Sequence, residues 1–191
     1  MTPKGGSSKT TTALHLAAAL ARARSGPRVV LLDGDANLSA TRWHERGAGA
    51  LPFAVRPVGA NVGDAEHVVV DTAANEAPED IAALARAADH VVVPTVPSPL
   101  ELVVTLDALR DLVHPSVMVL LTRCPPSPQS DAIDARALLT RAGHRVLAVE
   151  IPNRKAYAVA ALEGVTVREV RDRAAAELWA AWPKLLREAT T

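Results

Sequence analysis

Lys4-Gly5-Gly6-Ser7-Ser8-Lys9-Thr10-Thr11 is the stretch on which the reading of the fold turns. Adjacent glycines let the main chain come close to a polyphosphate, where a Cβ would clash. Lys9 supplies a point charge for the β- and γ-phosphates, and the Thr10 hydroxyl is a ligand for Mg²⁺. From Thr11 to Arg24 the chain places Ala13, Leu14, Ala17, Leu20 and Ala21 on one face, which predicts a helix behind the glycines. Its first turn points unpaired N–H groups and the positive end of its dipole at the same phosphates. Gly5, Gly6, Ser7, Ser8, Lys9, Thr10 and Thr11 are therefore the candidate nucleotide-binding residues, with ATP and Mg²⁺ as the cofactors. The plain alternative is a polar turn in front of a helix.

Outward from this loop, strands and helices alternate. Ser25-Gly26-Pro27 stops the first helix. Arg28 to Asp33 is a nearly continuous apolar run, the pattern of a parallel strand covered on both faces. It ends in Asp33-Gly34-Asp35-Ala36-Asn37, carboxylates at the strand edge where open α/β sheets bind ligands. A further helix starts within Asn37-Leu38-Ser39-Ala40-Thr41-Arg42-Trp43. Leu51 to Val58 predicts a strand that Pro52 and Pro57 confine to a sheet edge. His67 to Thr72 is a second buried run, with Asp71 at its end. Helices are predicted over Pro78 to Ala88, Leu100 to Val113, Asp131 to Ala142 and Val167 to Glu188. Buried strands are predicted over Ala88 to Thr95 and Ser116 to Arg123, and a further strand over Arg145 to Ile151. Leu178, Trp179 and Trp182 are expected to pack against the sheet. This order implies a three-layer α/β domain with a mainly parallel sheet.

A second lysine, Lys4, stands directly before the glycine pair, and the resulting K-G-G-x-x-K-T-T pattern resembles the deviant Walker A box of the ParA/MinD family of ATPases. Ser8 stands where that family usually has glycine. The resemblance implies a P-loop NTPase-like fold and a catalytic Lys4 that reaches across a nucleotide-sandwich dimer to the partner's ATP. Catalysis is then assigned to Lys4, Lys9 and Asp35. Asp33-Gly34-Asp35-Ala36-Asn37 sits where the family has D-x-D-P-Q, and the following residues resemble its "PQGSATDW" stretch. By that resemblance Asp33 helps hold Mg²⁺ through water, Asp35 positions the attacking water, and Asp71 at the Walker B position gives another Mg²⁺ contact. Thr10, Asp33 and Asp71 make up the implied metal set. Val96-Pro97-Ser98-Pro99-Leu100-Glu101 resembles a loop of the small ParF-type plasmid partition proteins that lies, with the helix after it, at their dimer interface. Thr122 and Arg123 match the Thr-Arg of that branch, at a strand end where other members read adenine. Pro152 and Asn153 border the implied adenine pocket. Arg154 and Lys155, with Arg168 and Arg171, are the implied DNA-binding residues; Glu169, Asp172 and Glu177 interleave with the last two, so an ion-paired helix face is the alternative.

The resemblance runs from Lys4 to about Glu169 and implies an ATPase that partitions a plasmid or chromosome. It implies an ATP-dependent homodimer, non-specific DNA binding, and a small centromere-binding partner of ParB-like or ribbon-helix-helix type. The expected location is cytoplasmic and nucleoid-associated, without membrane binding. Two rivals are a MinD-like, membrane-associated positioning ATPase and a non-catalytic remnant. Only Met1-Thr2-Pro3 precede the loop, too few for the strand from which a P-loop normally hangs. The expectation is one ParA-like domain over 1–191 whose first strand is missing or truncated.

Composition is consistent with this reading. Of 191 residues, 49% are apolar and 22% charged, enough for one globular core. The formal net charge is zero, so any DNA contact must come from a local patch. Cys124 is the one cysteine, which excludes an intrachain disulfide and fits a reducing compartment. No apolar run reaches membrane-span length.

Overall fold

The computed structural model describes residues 8–23, 26–73, 77–112, 114–126 and 130–191. Lys4, Gly5, Gly6 and Ser7 lie outside the described residues, and so does the expectation about a missing first strand. The elements run α1 (Lys9–Ala21), β1 (Val29–Asp33), α2 (Ser39–Arg46), β2 (Ala54–Pro57), β3 (His67–Asp71), α3 (Pro78–Ala87), β4 (Val91–Thr95), α4 (Pro99–Asp111), β5 (Val117–Cys124), α5 (Asp131–Arg141), β6 (Arg145–Pro152), α6 (Lys155–Glu163) and α7 (Ala175–Ala189). All strand pairings are parallel, in two three-stranded sheets ordered β2-β1-β3 and β4-β5-β6. The α/β class with parallel pairing is as the sequence predicts.

The chain divides into two compact units, one of Lys9–Ala74 with Arg154–Leu186, the other of Met1–Ser8, Asn75–Asn153 and Arg187–Thr191. In the first, β1 is the central strand, and α1 packs on β1 and β3. Leu14, Ala17 and Ala18 of α1 and Leu31 of β1 are fully buried. The register places Asp33 of β1 beside Asp71 of β3 and Pro57 of β2, so both acids end their strands at one sheet edge. Pro57 closes an edge strand, where its missing N–H costs no ladder bond. Helix α2 meets α6 at their C-terminal ends, Gly47 against Gly164. A Cβ on either would run into the other's backbone, and Gly164 also holds φ +72°. Glycine here serves a close approach as well as a helix stop.

In the second unit β5 is central, and its residues Met118 to Thr122 are buried. Leu102, Leu109, Val119, Leu121, Cys124, Ala132, Ala135 and Leu139 form one cluster from α4, β5 and α5. Burial pushes the Cys124 thiol up to about 12, which leaves it inert at neutral pH. Arg136 and Glu150 pair at 2.8 Å and tie α5 to β6.

Three expectations need correction. Strand β4, at the edge of its sheet, starts at Val91 rather than Ala88 and is only partly buried before Thr95. The valine run of β3 is not buried: Val68 is 44% and Val70 37% exposed. The reason is its place at the edge of its sheet, which an apolar run cannot reveal. The last helix begins at Ala175 rather than Val167. Between them, side chains satisfy the backbone locally and compete with helix. The Glu169 carboxylate accepts the Thr166 N–H at 3.1 Å and its hydroxyl at 2.5 Å, and Asp172 accepts the Ala174 N–H at 2.7 Å.

Candidate nucleotide site

Ser8 enters α1 with φ 61°, in the left-handed region that favours glycine, at the position where the resembled box has glycine. Lys9 and Thr10 then open α1, so their side chains stand at the helix end where unpaired N–H groups gather. The three acids beside them differ sharply in their surroundings.

Asp33 is buried and well partnered. Its Oδ2 accepts the Thr41 N–H at 2.8 Å and the Thr41 hydroxyl at 2.7 Å, while Oδ1 accepts the Asp35 N–H at 3.1 Å. Helix α2 has Leu38 as its N-cap, with no capping side chain and φ 51°. The Asp33 carboxylate therefore satisfies one of the free N–H groups of α2 from outside the helix. Asp35 is more open. The Ser39 hydroxyl donates to its Oδ2 at 2.6 Å, and the Asn37 backbone and side-chain N–H groups donate to Oδ1 at 3.1 and 3.2 Å. The Ser39 bond, then the Asn37 backbone bond, hold this carboxyl below its ordinary pKa, so it is ionised at neutral pH.

Asp71 is the exception. It is 1% exposed, and neither carboxylate oxygen has a hydrogen-bond partner among the described residues. Burial raises its pKa to about 6, with the Asp33 and Asp35 charges adding to the rise. The Thr10 hydroxyl and Lys9 pull the other way, but Thr10 does not reach hydrogen-bond geometry on either oxygen. A buried carboxylate with two bare oxygens beside a threonine hydroxyl and a second acid is a donor set for a hard cation. The residues present fit Mg²⁺, which Thr10 and Asp71 would hold, with Asp33 alongside.

The sequence-predicted residues thus gather in part. Lys9, Thr10, Asp33, Asp35 and Asp71 belong to one unit and act electrostatically on one another. Thr122, Arg123, Pro152 and Asn153 belong to the other unit and cluster at the ends of β5 and β6. There Cys124 pairs with Pro152, and the Asn153 N–H donates to the Cys124 carbonyl at 2.8 Å. Thr122 is buried and gives its hydroxyl to the Thr95 carbonyl at 3.2 Å. Arg154, Lys155, Arg168 and Arg171 are exposed. The Arg168 guanidinium lies 5.9 Å from the centre of the Trp179 ring, and Glu169 pairs with Arg22 at 2.9 Å. Leu178 and Trp182 are buried, as expected, whereas Trp179 stays half-buried under the Arg22 and Arg168 guanidinium groups.

His15 escaped the sequence reading. It is fully buried in α1, donates from Nδ1 to the Thr11 carbonyl at 2.8 Å and accepts the Val167 N–H on Nε2 at 3.0 Å. The rings of Trp182, Tyr157 and Trp43 lie 4.7, 5.5 and 6.2 Å from its own. Burial lowers its pKa to about 4, so it is neutral, which the bond accepted by Nε2 requires. Trp43 Nε1 donates to the Val165 carbonyl at 2.9 Å. The helix behind the phosphate loop and the helix behind the acidic strand end are thereby pinned to the same Val165–Val167 segment. A lone histidine inside an Ala/Leu helix was the available signal.

The family model for the CobQ/CobB/MinD/ParA nucleotide binding domain matches residues 1–167. The chain belongs to this family. Among curated members of the ParA/MinD group, the maintenance of carboxysome distribution protein A of Gloeobacter kilaueensis is 38% identical over 196 residues, covering 97% of this chain and 89% of that protein. Among solved structures, an ATP complex of a Cyanothece McdA variant superposes with a TM-score of 0.70 at 18% identity, covering 98% of this chain and 93% of the other. The MinD cell division protein of Aquifex aeolicus gives 0.67 at 17% identity, covering 97% and 94%. At these identities the structures speak for the shared fold; the family assignment rests on the sequence matches. Nucleotide binding is the family's common property.

Proposed function

We propose that this ParA/MinD-family chain is a positioning ATPase acting as one domain over 1–191. It binds ATP and Mg²⁺ at Gly5–Thr11, dimerises in the ATP state and associates with non-specific DNA. The observation that carries this reading is Asp71, a buried carboxylate with unpartnered oxygens beside Thr10 and Asp33. A chain that kept such a group for folding alone would leave a desolvated acid uncompensated.

Within the site the chain's own groups divide the work. Lys9 and the first turn of α1 bind the phosphates. Thr10, Asp71 and Asp33 hold the cation, which when bound would neutralise charge on the phosphate oxygens. Asp35, kept ionised by Ser39 and Asn37, accepts a hydrogen bond from the attacking water and orients it. Lys4 acts on the partner's nucleotide. Hydrolysis is slow until a small partner protein completes the site. Arg154, Lys155, Arg168 and Arg171 carry the DNA contact. The 38% relative is named for carboxysome distribution, so a particle of that kind stands beside plasmid or chromosome as cargo. Among the described residues no helix is long and apolar enough to cross a membrane.

Sedimentation with ATP and Mg²⁺ tests the proposal. The expected result is an ATP-dependent dimer that is lost in Lys4→Ala while nucleotide binding survives. Association with DNA should fall steeply with salt. A Lys4→Ala chain that dimerises like the wild type would refute the sandwich.

A further inference from the structure

An open pocket of about 280 Å³ lies on the α2 side of the nucleotide site, lined by Thr10, Asn37, Ser39, Arg42, Trp43 and Arg46. Its lining has an unusual charge balance. Arg42 and Arg46 are one helical turn apart on α2 and both contribute to the wall, and among the described residues no carboxylate does, Asp35 standing behind Ser39 and Asn37. The position of Arg42 is aspartate in the "PQGSATDW" stretch that this segment resembles, so the charge is reversed here. Arg46 is held in place, its Nε donating to the Ala161 carbonyl at 3.0 Å. That bond fixes the guanidinium plane and leaves its other N–H groups for a ligand. The remaining wall is the Trp43 ring, itself buried and anchored, and small polar groups. Ser39 and Asn37 already spend donors on Asp35, which leaves the guanidinium groups as the chief free donors.

We propose that this pocket is an oxyanion subsite that takes inorganic phosphate, the product of the neighbouring hydrolysis site. Guanidinium groups donate in a planar fork that matches phosphate oxygens, and two of them balance a phosphate dianion. Thr10 belongs to both the pocket and the proposed cation site, so the arginines adjoin the place where the product phosphate would be released. Occupied by product, the subsite would make phosphate an inhibitor. The assignment of phosphate as the ligand rests on the ATPase reading; the anion site itself rests on the pocket.

Thermal melts with sodium orthophosphate, at constant ionic strength and without nucleotide, test the proposal. Sulfate should behave like phosphate, and chloride and acetate should not. The expected result is a phosphate-dependent rise in melting temperature in the wild type. Its half-saturating concentration should increase about tenfold or more in Arg42→Ala, with Arg42→Lys between them. Arg42 is exposed, so its variants should fold, and circular dichroism checks this. A phosphate response unchanged in Arg42→Ala and abolished in Lys9→Ala would place the anion in the phosphate loop and overturn the proposal. A wild type that does not respond, or responds equally to acetate, would overturn it too. Binding of a fluorescent ATP analogue to the same samples separates the two readings: an Arg42-dependent phosphate response with no analogue binding would keep the anion site and reject the ATPase.

Discussion

Asp71→Asn in metal-free buffer should make the protein more stable at neutral pH. In the folded chain the Asp71 carboxyl holds its proton to about pH 6, against 3.8 for an exposed aspartate. Between those values the folded state binds more protons than the unfolded state, so this group's contribution to stability falls as pH rises. At about 1.36 kcal/mol per decade of proton affinity the full loss is ~3 kcal/mol. His15 works in the opposite direction. Its folded pKa is about 4 against 6.5 unfolded, so the unfolded state binds more protons in that window and stability rises with pH. The magnitude is again ~3 kcal/mol. The two slopes oppose each other over nearly the same pH range, and on their account the wild-type profile is nearly flat. Removing the Asp71 charge unmasks the His15 slope. The melting midpoint of Asp71→Asn should then climb from pH 4 to 6.5. Above pH 7 it should exceed the wild type by ~1–2 kcal/mol, because a buried unpartnered amide still costs part of what the carboxylate did. For a chain of this length that is roughly 3–6 °C. His15→Gln should do the reverse and leave a profile that falls with pH. Mg²⁺ should stabilise the wild type and not Asp71→Asn. An Asp71→Asn chain less stable than the wild type at about pH 7.5, or one whose profile parallels it, would refute the reasoning.

Other positions give smaller, cleaner effects. Ser8→Gly should relieve a left-handed residue and raise stability by ~1 kcal/mol, with tighter nucleotide binding if the loop is the limit; urea unfolding and analogue titration check this. Thr41→Val removes a hydroxyl from the Asp33 carboxylate and should cost about 1.5–3 kcal/mol in urea unfolding. Gly164→Ala must adopt a positive φ and push its Cβ into the backbone of α2, so a loss above about 2 kcal/mol is expected by thermal melting. Ser39→Ala should raise the Asp35 pKa toward an ordinary carboxylate value, seen as an upward shift of the acid limb of the ATPase pH profile.

Apolar runs and helical periodicity located the strands and every helix but α6 among the described residues, because burial on both faces leaves an unbroken signature in β1 and β5. The same signature misled at β3, where three valines sit at a sheet edge. A run of valines states that a strand forms; its neighbours are decided by the rest of the chain. The acids were legible because Asp33, Asp35 and Asp71 follow such runs directly. Their differences were not legible. Asp33 is satisfied by Thr41, eight residues on in another element, and Asp35 by Ser39, while Asp71 is left bare. Those bonds depend on where α2 docks, and hydroxyl residues in a helix carry no sequence mark of it. His15 was hidden for a related reason, since its partner Val167 lies 152 positions away. The late start of α7 came from carboxylates that cap local N–H groups, which helix propensity does not register.

The most direct test of the account is Mg²⁺-dependent binding of a fluorescent ATP analogue to this chain, measured beside Lys9→Ala and Asp71→Asn. The account predicts saturable binding that needs Mg²⁺, disappears in Lys9→Ala and loses its Mg²⁺ dependence in Asp71→Asn. Absence of binding to the folded wild type, or binding indifferent to Lys9, would contradict it.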